Sequence, residues 1–331
     1  MFVGLDYHAG SIQVCAMGAD GAVLLNRRCG NSVAEVLALV RTAGEPRRAA
    51  VEACCGAADL AEELAAAGWR VALAHPGYVA RMKLGPDKSD YTDARMLAEL
   101  CRAGLVPEVW LAPGPVREPR ALVRFRAEQV RRRRCLKTRI LAVLREQRIA
   151  GPGLPRWGKG WLAWLASCPE ISAAGRWIIA EHLREIEELG ARVRRVHDEL
   201  AALTAGDAVV RRLMEMPGIG EVTAWTMRAM IGRFDRFKTG EQLARFCALT
   251  PCNASSGGRR ADAGLVRAGD PELKSVLVLA AHRLCRLDPR WRALAARLRG
   301  AGKPAPVAIA AVANRWVRWM HHQLQEVSRA A

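Results

Sequence analysis

Four acidic residues in the first hundred positions have a spacing that suits metal binding. Asp6 and Glu52 each end a short apolar segment, and Asp90 and Asp93 lie three residues apart in the segment KSDYTDARMLAEL. At the start of a helix, side chains three residues apart share one side, about 5–6 Å from each other. Mg²⁺ prefers carboxylate ligands, and two such ions about 4 Å apart can activate a nucleophile and stabilise a leaving oxygen in phosphodiester cleavage. The pattern predicts a magnesium site made of these four acids.

Each of these acids also has an ordinary explanation. An aspartate at a strand end often forms a turn, and Asp90 or Asp93 could cap a helix. His8 lies two residues past Asp6 and could face the predicted metal site or the exposed edge of the strand.

The segments that carry these acids read as a mixed α/β domain. Three strands in hairpin order, followed by alternating helix and strand, are typical of a ribonuclease-H-like fold. We predict strands at residues 2–6, 11–17, 22–27, 48–53, 69–74 and 108–111, and helices at 33–42, 57–67 and 93–103. Asp6 and Glu52 then lie at the ends of the first and fourth strands.

The rest of the chain is predicted to be helical. Residues 120–147 lack helix breakers and predict one long basic helix, followed by a loop rich in Gly and Pro at 151–160 and a second long helix at 174–205. The second helix has apolar residues at coiled-coil spacing, namely Ile186, Leu189, Val193, Val196, Leu200 and Leu203. The two helices are predicted to form an antiparallel coiled-coil arm that could pair with another subunit. From Asp207 onward the chain is predicted to be all helical.

Three prolines, at positions 113, 115 and 119, mark the first domain boundary. The predicted domains are residues 1–116, 117–206 and 207–331. Four tryptophans cluster around the predicted loop, and core packing or a subunit contact is a more common use for them than base stacking. They are Trp157, Trp161, Trp164 and Trp177.

The net charge of +18 indicates a polyanionic partner. Half of this charge falls between residues 117 and 148, which contain twelve bases and three acids. The basic residues at the centre of this segment are Arg131, Arg132, Arg133, Arg134 and Lys137. Nucleic acid is the expected partner, although a GC-rich genome would also favour arginine.

The cysteines and the apolar segments indicate the cellular compartment in which the protein is expected. The ten cysteines form no CxxC pair, so reduced thiols are expected rather than a zinc site or disulfides. The apolar runs are shorter than the roughly 18 residues of a membrane span, and the start of the chain lacks a basic signal segment. We expect a cytoplasmic protein, nucleoid-associated when bound to DNA, with no membrane partner.

Two segments of the C-terminal part could contact nucleic acid. Met216-Pro217-Gly218-Ile219-Gly220 reads as a helix-hairpin-helix, in which Gly218 and Gly220 would bring backbone N–H groups close to a DNA phosphate. The tetrapeptide Pro-Gly-Ile-Gly within this segment could also form a plain turn between helices. Further along, Ser256 precedes two glycines, and Arg259 and Arg260 could balance the charge of a phosphate beside it. Without other information, Ser-Ser-Gly-Gly would be read as a surface linker.

Taken together, these motifs resemble a known family. GLDYH, VEACCG and KSDYTDARMLAEL are similar to the DEDD-type insertion-sequence transposases, whose N-terminal domain is RuvC-like. The stretch from RFKTGEQLARF to SGGRR resembles the transposase domain of the same family. The chain departs from the family pattern at Ala248, which replaces a usual glycine, and at Cys252 and Asn253.

The resemblance implies an activity, a nucleophile and partners. Asp6, Glu52, Asp90 and Asp93 match the four metal-binding acids of the family, and Ser256 matches a serine that attacks the phosphodiester and forms a phosphoserine link. A structured non-coding guide RNA is implied to pair with target and donor DNA. Because the acids and Ser256 belong to separate domains, the resemblance also implies a composite site and a homo-oligomer of two or four chains. The implied fold is a RuvC-like domain, a coiled-coil arm and a helical domain with a helix-hairpin-helix.

Two other functions remain open from the sequence. A RuvC-like Holliday-junction resolvase or nuclease would use the same acids with activated water, and Ser256 would be incidental. A non-catalytic nucleic-acid-binding protein would need only the basic helix and the helix-hairpin-helix.

Overall fold

The computed structural model describes residues 1–82, 89–253 and 262–330. The chain divides into two compact units, Met1–Pro113 and Gly114–Ala331. The second unit contains both the segment expected to form an arm and the segment expected to form a helical domain. The three-part division therefore stays a prediction.

The first unit is built on a six-stranded mixed sheet. Its strands are β1 (Phe2–Tyr7), β2 (Ser11–Met17), β3 (Val23–Gly30), β4 (Arg48–Glu52), β5 (Val71–Ala74) and β6 (Glu108–Val109). The order across the sheet is β3-β2-β1-β4-β5-β6, with β1, β4 and β5 parallel to one another and the other pairs antiparallel. This mixed sheet is consistent with the predicted RuvC-like domain.

Helices cover both faces of this sheet. They are α1 (Val33–Arg41), α2 (Ala57–Ala66), α3 (Pro76–Met82) and α4 (Asp90–Arg102). Successive side chains of a strand point to opposite faces, so the odd-numbered residues of β1, such as Val3 and Leu5, pack with α1 and α2. Ala50 of β4 points the other way and packs with Leu97 of α4. Asp6, Glu52 and α4 therefore share one face of the sheet.

The second unit is mainly helical. Its helices are α5 (Gly114–Glu146), α6 (Lys159–Ser167), α7 (Ala173–Thr204), α8 (Ala208–Met214), α9 (Glu221–Ile231), α10 (Gly240–Phe246), α11 (Pro271–Leu287), α12 (Pro289–Gly300) and α13 (Ala305–Ala330). The first long helix begins six residues earlier than predicted, because Pro119, its sixth residue, lies inside the helix and does not mark its start. One hydrophobic core contains residues from α5 and from every helix between α7 and α13.

The expectation of an all-helical C-terminal part was wrong in one place. Strands β7 (Pro251–Asn253) and β8 (Asp262–Leu265) form a two-stranded antiparallel sheet. Helical periodicity is absent from this short stretch, which Pro251 opens, and a pair of short strands satisfies its backbone hydrogen bonds instead.

The two long helices α5 and α7 pack against each other. Of the apolar residues at coiled-coil spacing, Leu189, Val196 and Leu200 are buried, whereas Leu203 is exposed and Thr204 is buried in its place. The coiled-coil arm remains a prediction.

A small separate core joins α5, α6 and the start of α7. It includes Ile140, Leu165 and the fully buried Trp161, whose ring lies 4.7 Å from that of Trp157 and 5.8 Å from that of Trp164. Packing thus accounts for three of the four clustered tryptophans, and Trp177 is exposed. Within the described residues, none of the helices combines the length and the apolar character that a membrane span requires.

Candidate metal centre and nucleic-acid-binding residues

The parallel pairing of β1 with β4 places Asp6 and Glu52 at adjacent positions of neighbouring strands. The pairing runs to Leu5 opposite Val51, and Asp6 and Glu52 are the next residues of their strands. Both strands run in the same direction, so both acids lie at the same edge of the sheet.

The third and fourth acids are positioned by the start of α4. Ser89 caps this helix, accepting a hydrogen bond from the Thr92 amide, while the Thr92 side chain bonds back to the Ser89 amide. The helix therefore begins at Asp90, three residues earlier than predicted, and Asp90 and Asp93 both lie in its first turn.

A glycine in β1 allows α4 to lie close to the sheet. A Cβ atom at Gly4 would lie 2.0 Å from the Ala94 carbonyl oxygen and 2.3 Å from the Ala98 amide nitrogen. Both contacts are with the helix backbone, which cannot turn aside as a flexible side chain can. Gly4 thus permits the approach that brings the start of α4 to Asp6.

We expect Gly4→Ala to destabilise the protein by about 1–3 kcal/mol or more, because the added methyl group must displace α4. The free energy of unfolding from denaturant titration measures this effect. Gly10→Ala is the matched control, since a Cβ there meets no atom of the described residues within 4 Å. Equal stability of the two variants would show that Gly4 does not set the position of α4.

The approach produces a compact cluster of ligand atoms. Side-chain atoms of Asp6, His8 and Asp90 lie within 4.8 Å of one another. His8 Nε2 is 3.2 Å from Asp6 Oδ2 and 3.3 Å from Asp90 Oδ1. On the far side of Asp90, an Arg28 guanidinium nitrogen lies 2.5 Å from Oδ2.

The charges of the cluster are crowded. Burial raises the pKa of the Asp6 carboxyl, the interaction with His8 lowers it, and the charges of Asp90 and Asp93 raise it further. The Asp6 side chain is only 17% exposed. A divalent cation would relieve this repulsion, and two carboxylates with a histidine nitrogen beside them are a donor set that such a cation accepts.

The structure brings some predicted ligands together directly and others only within electrostatic range. Asp6 and Asp90 belong to the compact cluster, and Asp93 acts on Asp6 through its charge. Glu52 and Asp6 both raise the pKa of the Cys54 thiol, after the larger effect of its removal from water. All four predicted acids thus lie around the same edge of the sheet.

From the sequence, it was open whether His8 faces the metal site, and Arg28 was not predicted to lie near it. His8 lies two residues past Asp6, so alternation along the strand directs both side chains to one side. Arg28 required knowledge of the sheet register. Asp6 pairs with Gln13 and Gln13 pairs with Arg28, which puts Arg28 in the same row two strands away.

In the second unit, the predicted glycine hairpin joins α8 to α9. Gly218 has a φ of +83°, a conformation that favours glycine, and its carbonyl accepts a hydrogen bond of 2.9 Å from Arg283 of α11. Arg283 also donates to the Thr223 hydroxyl at 3.2 Å. Gly220 directly precedes α9, and residues 218–223 line an open cleft with Arg283, a residue that the sequence analysis did not single out.

The basic residues predicted on α5 are mostly accessible. Arg131, Arg132 and Arg134 are exposed, and Arg132 pairs with Glu128 at 2.7 Å. Arg133 and Lys137 are partly buried, and the Lys137 ammonium lies 4.8 Å from the centre of the Trp157 ring. Ser256, Arg259 and Arg260 lie outside the described residues.

The known proteins to which this chain is similar are transposases. The family model described as "Transposase IS116/IS110/IS902 family" matches residues 210–296, and a second model, of DEDD transposases of the IS110 group, matches residues 3–148. A probable family 20 transposase of Pseudomonas aeruginosa is 30% identical over 290 residues, covering 82% of each chain. A transposase for insertion sequence element IS1111A of Coxiella burnetii is 25% identical over 292 residues, covering 86% of this chain and 78% of the relative.

Proposed function

Since this chain belongs to the IS116/IS110/IS902 family of DNA transposases, we propose that it cuts and rejoins DNA strands with a carboxylate-bound Mg²⁺ site and a serine nucleophile. The observation that carries the metal part is the convergence of Asp6 and Asp90, from the end of β1 and the start of α4. The serine part is supported by the resemblance of the SGGRR segment to the transposase domain.

The proposed Mg²⁺ ligands are Asp6, Glu52, Asp90 and Asp93. Bound there, Mg²⁺ would polarise the scissile phosphate and stabilise a leaving oxygen. The chain's own residues set the geometry. Gly4 lets α4 lie on β1, Ser89 fixes the first turn of α4, and the hydrogen bond of His8 to Asp6 holds one carboxylate in orientation. Arg28 holds the Asp90 carboxylate from the other side.

In the proposed covalent step, the Ser256 oxygen attacks the phosphorus of a DNA phosphodiester. A phosphoserine ester bond forms, the bond from phosphorus to the departing strand's oxygen breaks, the serine hydroxyl loses its proton, and the departing strand gains one. Attack by the hydroxyl of another strand reverses these changes and releases Ser256. Because one ester replaces another at each step, rejoining needs no external energy source. Arg259 and Arg260 would balance the charge of the phosphate.

We further propose that a structured non-coding RNA guides the reaction by pairing with donor and target DNA. The basic residues Arg131–Arg134 and Lys137, and the hairpin of Gly218 and Gly220, would then bind nucleic-acid backbone without reading sequence. The proposal also includes a homo-oligomer of two or four chains, with the packed helices α5 and α7 as its contact. The resemblance and the charge of the chain support these points.

A reconstituted strand-exchange reaction tests this function. The full chain is mixed with donor DNA, target DNA, Mg²⁺ and the non-coding RNA transcribed from the flanking element. We expect recombinant DNA only in the complete mixture. Recombination without RNA would contradict the proposed RNA guidance and leave the proposed strand exchange intact. Cleaved DNA without joined product would favour a hydrolytic nuclease.

A further inference from the structure

A second strongly basic segment lies near the C-terminus, apart from α5. Between residues 283 and 318 the chain has one acid, Asp288, and nine bases, which are Arg283, Arg286, Arg290, Arg292, Arg297, Arg299, Lys303, Arg315 and Arg318. The net charge of this segment, +8 over 36 residues, is close to the +9 over 32 residues of the basic segment on α5. The function proposed above makes no use of it.

Four of these arginines surround one cleft. Arg290 and Arg297 lie two turns apart on α12, and Arg315 and Arg318 lie about one turn apart on α13. They line an open cleft of about 590 Å³ between the two helices, and none of the described residues lining it is acidic. The helices are held together beneath it by a common core that includes Trp291, Val312 and Trp316.

The arrangement leaves most of this positive charge available to a ligand. Arg318 pairs with Glu241 of α10 at 2.6 Å, and Glu241 is itself largely exposed. The Arg290 guanidinium lies 4.7 Å from the centre of the Trp291 ring. Arg297 and Arg315 are both exposed. Guanidinium groups at fixed spacing along two rigid helices suit a ligand with repeated phosphates, because each group can bind a phosphate through two N–H donors.

The cleft favours the backbone of a duplex over the bases of a single strand. Single-strand binding sites normally add exposed aromatic rings on which bases stack. Trp291, the aromatic residue that lines this cleft, is only 4% exposed and is covered by Arg290. The transposase family acts on DNA, which makes duplex DNA the expected ligand.

We propose that the cleft between α12 and α13 binds the phosphate backbone of duplex DNA, with Arg297 and Arg315 as principal contacts. This site depends on DNA as the substrate of the family and not on the proposed metal ligands or on Ser256. The matched family region ends at residue 296, so α13 supplies a wall of the site beyond it.

Salt-dependent binding of a duplex of arbitrary sequence tests the proposal. The full chain and its Arg297→Gln/Arg315→Gln variant are titrated by fluorescence anisotropy over about 50–200 mM salt, with EDTA present so that the metal site does not contribute. We expect about tenfold weaker binding near 150 mM salt, and a slope of log K against log salt reduced by about 0.9 for each lost phosphate contact.

The matched control is Arg286→Gln/Arg299→Gln, which removes the same charge from exposed positions of α11 and α12 outside the cleft. It should retain a slope nearer that of the wild type. Equal slopes for the two double variants would overturn the proposal, since net charge alone would then explain any loss. Loss of affinity for a single strand or for duplex RNA, with duplex DNA binding kept, would also overturn it. Thermal unfolding of each variant confirms that the chain is folded.

Discussion

Replacing Asp6 with asparagine is expected to lower strand exchange about a thousandfold or more while the chain stays folded. Asparagine keeps the size of the side chain and removes the charge that would bind the metal ion, and a catalytic metal supplies several kcal/mol of transition-state stabilisation. Recombinant DNA formed per unit time measures this loss. Asp20→Asn, at an exposed turn of the same unit, should leave the rate unchanged.

Asp6→Asn is expected to lower activity without lowering the stability of the folded protein. Folding raises the pKa of Asp6 above its ordinary value of 3.8, chiefly through burial, so the folded protein holds this proton more tightly than the unfolded chain does. The contribution of Asp6 to the free energy of unfolding therefore falls as pH rises from below 3.8 through the raised pKa, and it stays low at neutral pH.

Asp6→Asn removes that unfavourable charge. The metal-free variant should unfold at the same temperature as the wild type or at a higher one near pH 7. A purely structural role for Asp6 requires the reverse, which is a lower unfolding temperature together with lost activity.

Replacing Ser256 with alanine is expected to abolish both strand exchange and the covalent protein–DNA adduct. The serine hydroxyl is the proposed attacking group, and alanine has no atom that can replace it. Adduct formation is measured with a labelled DNA substrate, by the label that stays with the protein after denaturing electrophoresis.

Ser255→Ala is the matched control, because it removes an identical hydroxyl one residue away. It should retain both exchange and adduct. An adduct that persists in Ser256→Ala would move the nucleophile elsewhere. DNA cleavage that persists without any adduct in the wild type would identify a hydrolytic RuvC-like nuclease.

Much of the first unit could be predicted because alternation along strands is a strong local signal. The strands that carry Asp6 and Glu52 were predicted to within one residue at each end. Whether His8 faces the same side as Asp6 was left open. The start of α4 was placed three residues late. Ser89, the residue that caps it, could not be told from the loop before it without seeing its hydrogen bonds with Thr92.

Features that depend on pairing distant segments could not be predicted. Arg28 reaches Asp90 because two strand registers align it with Asp6, and a single sequence does not fix those registers. The sheet of β7 and β8 was missed for a different reason, because its strands are only three and four residues long and too short to show a clear alternating pattern. The arginine cleft of α12 and α13 was missed because its four side chains come together only when the two helices pack.

The carboxylates at the end of β1 and the start of α4 are proposed to bind a divalent metal ion. Calorimetric titration of the metal-free chain with Mn²⁺ tests this directly, with Asp6→Asn, Asp90→Asn and the Asp20→Asn control measured in parallel. We predict that the wild type and the control bind Mn²⁺ equally and that each cluster variant binds it at least about tenfold more weakly. Equal Mn²⁺ affinity in all four proteins would contradict the claim.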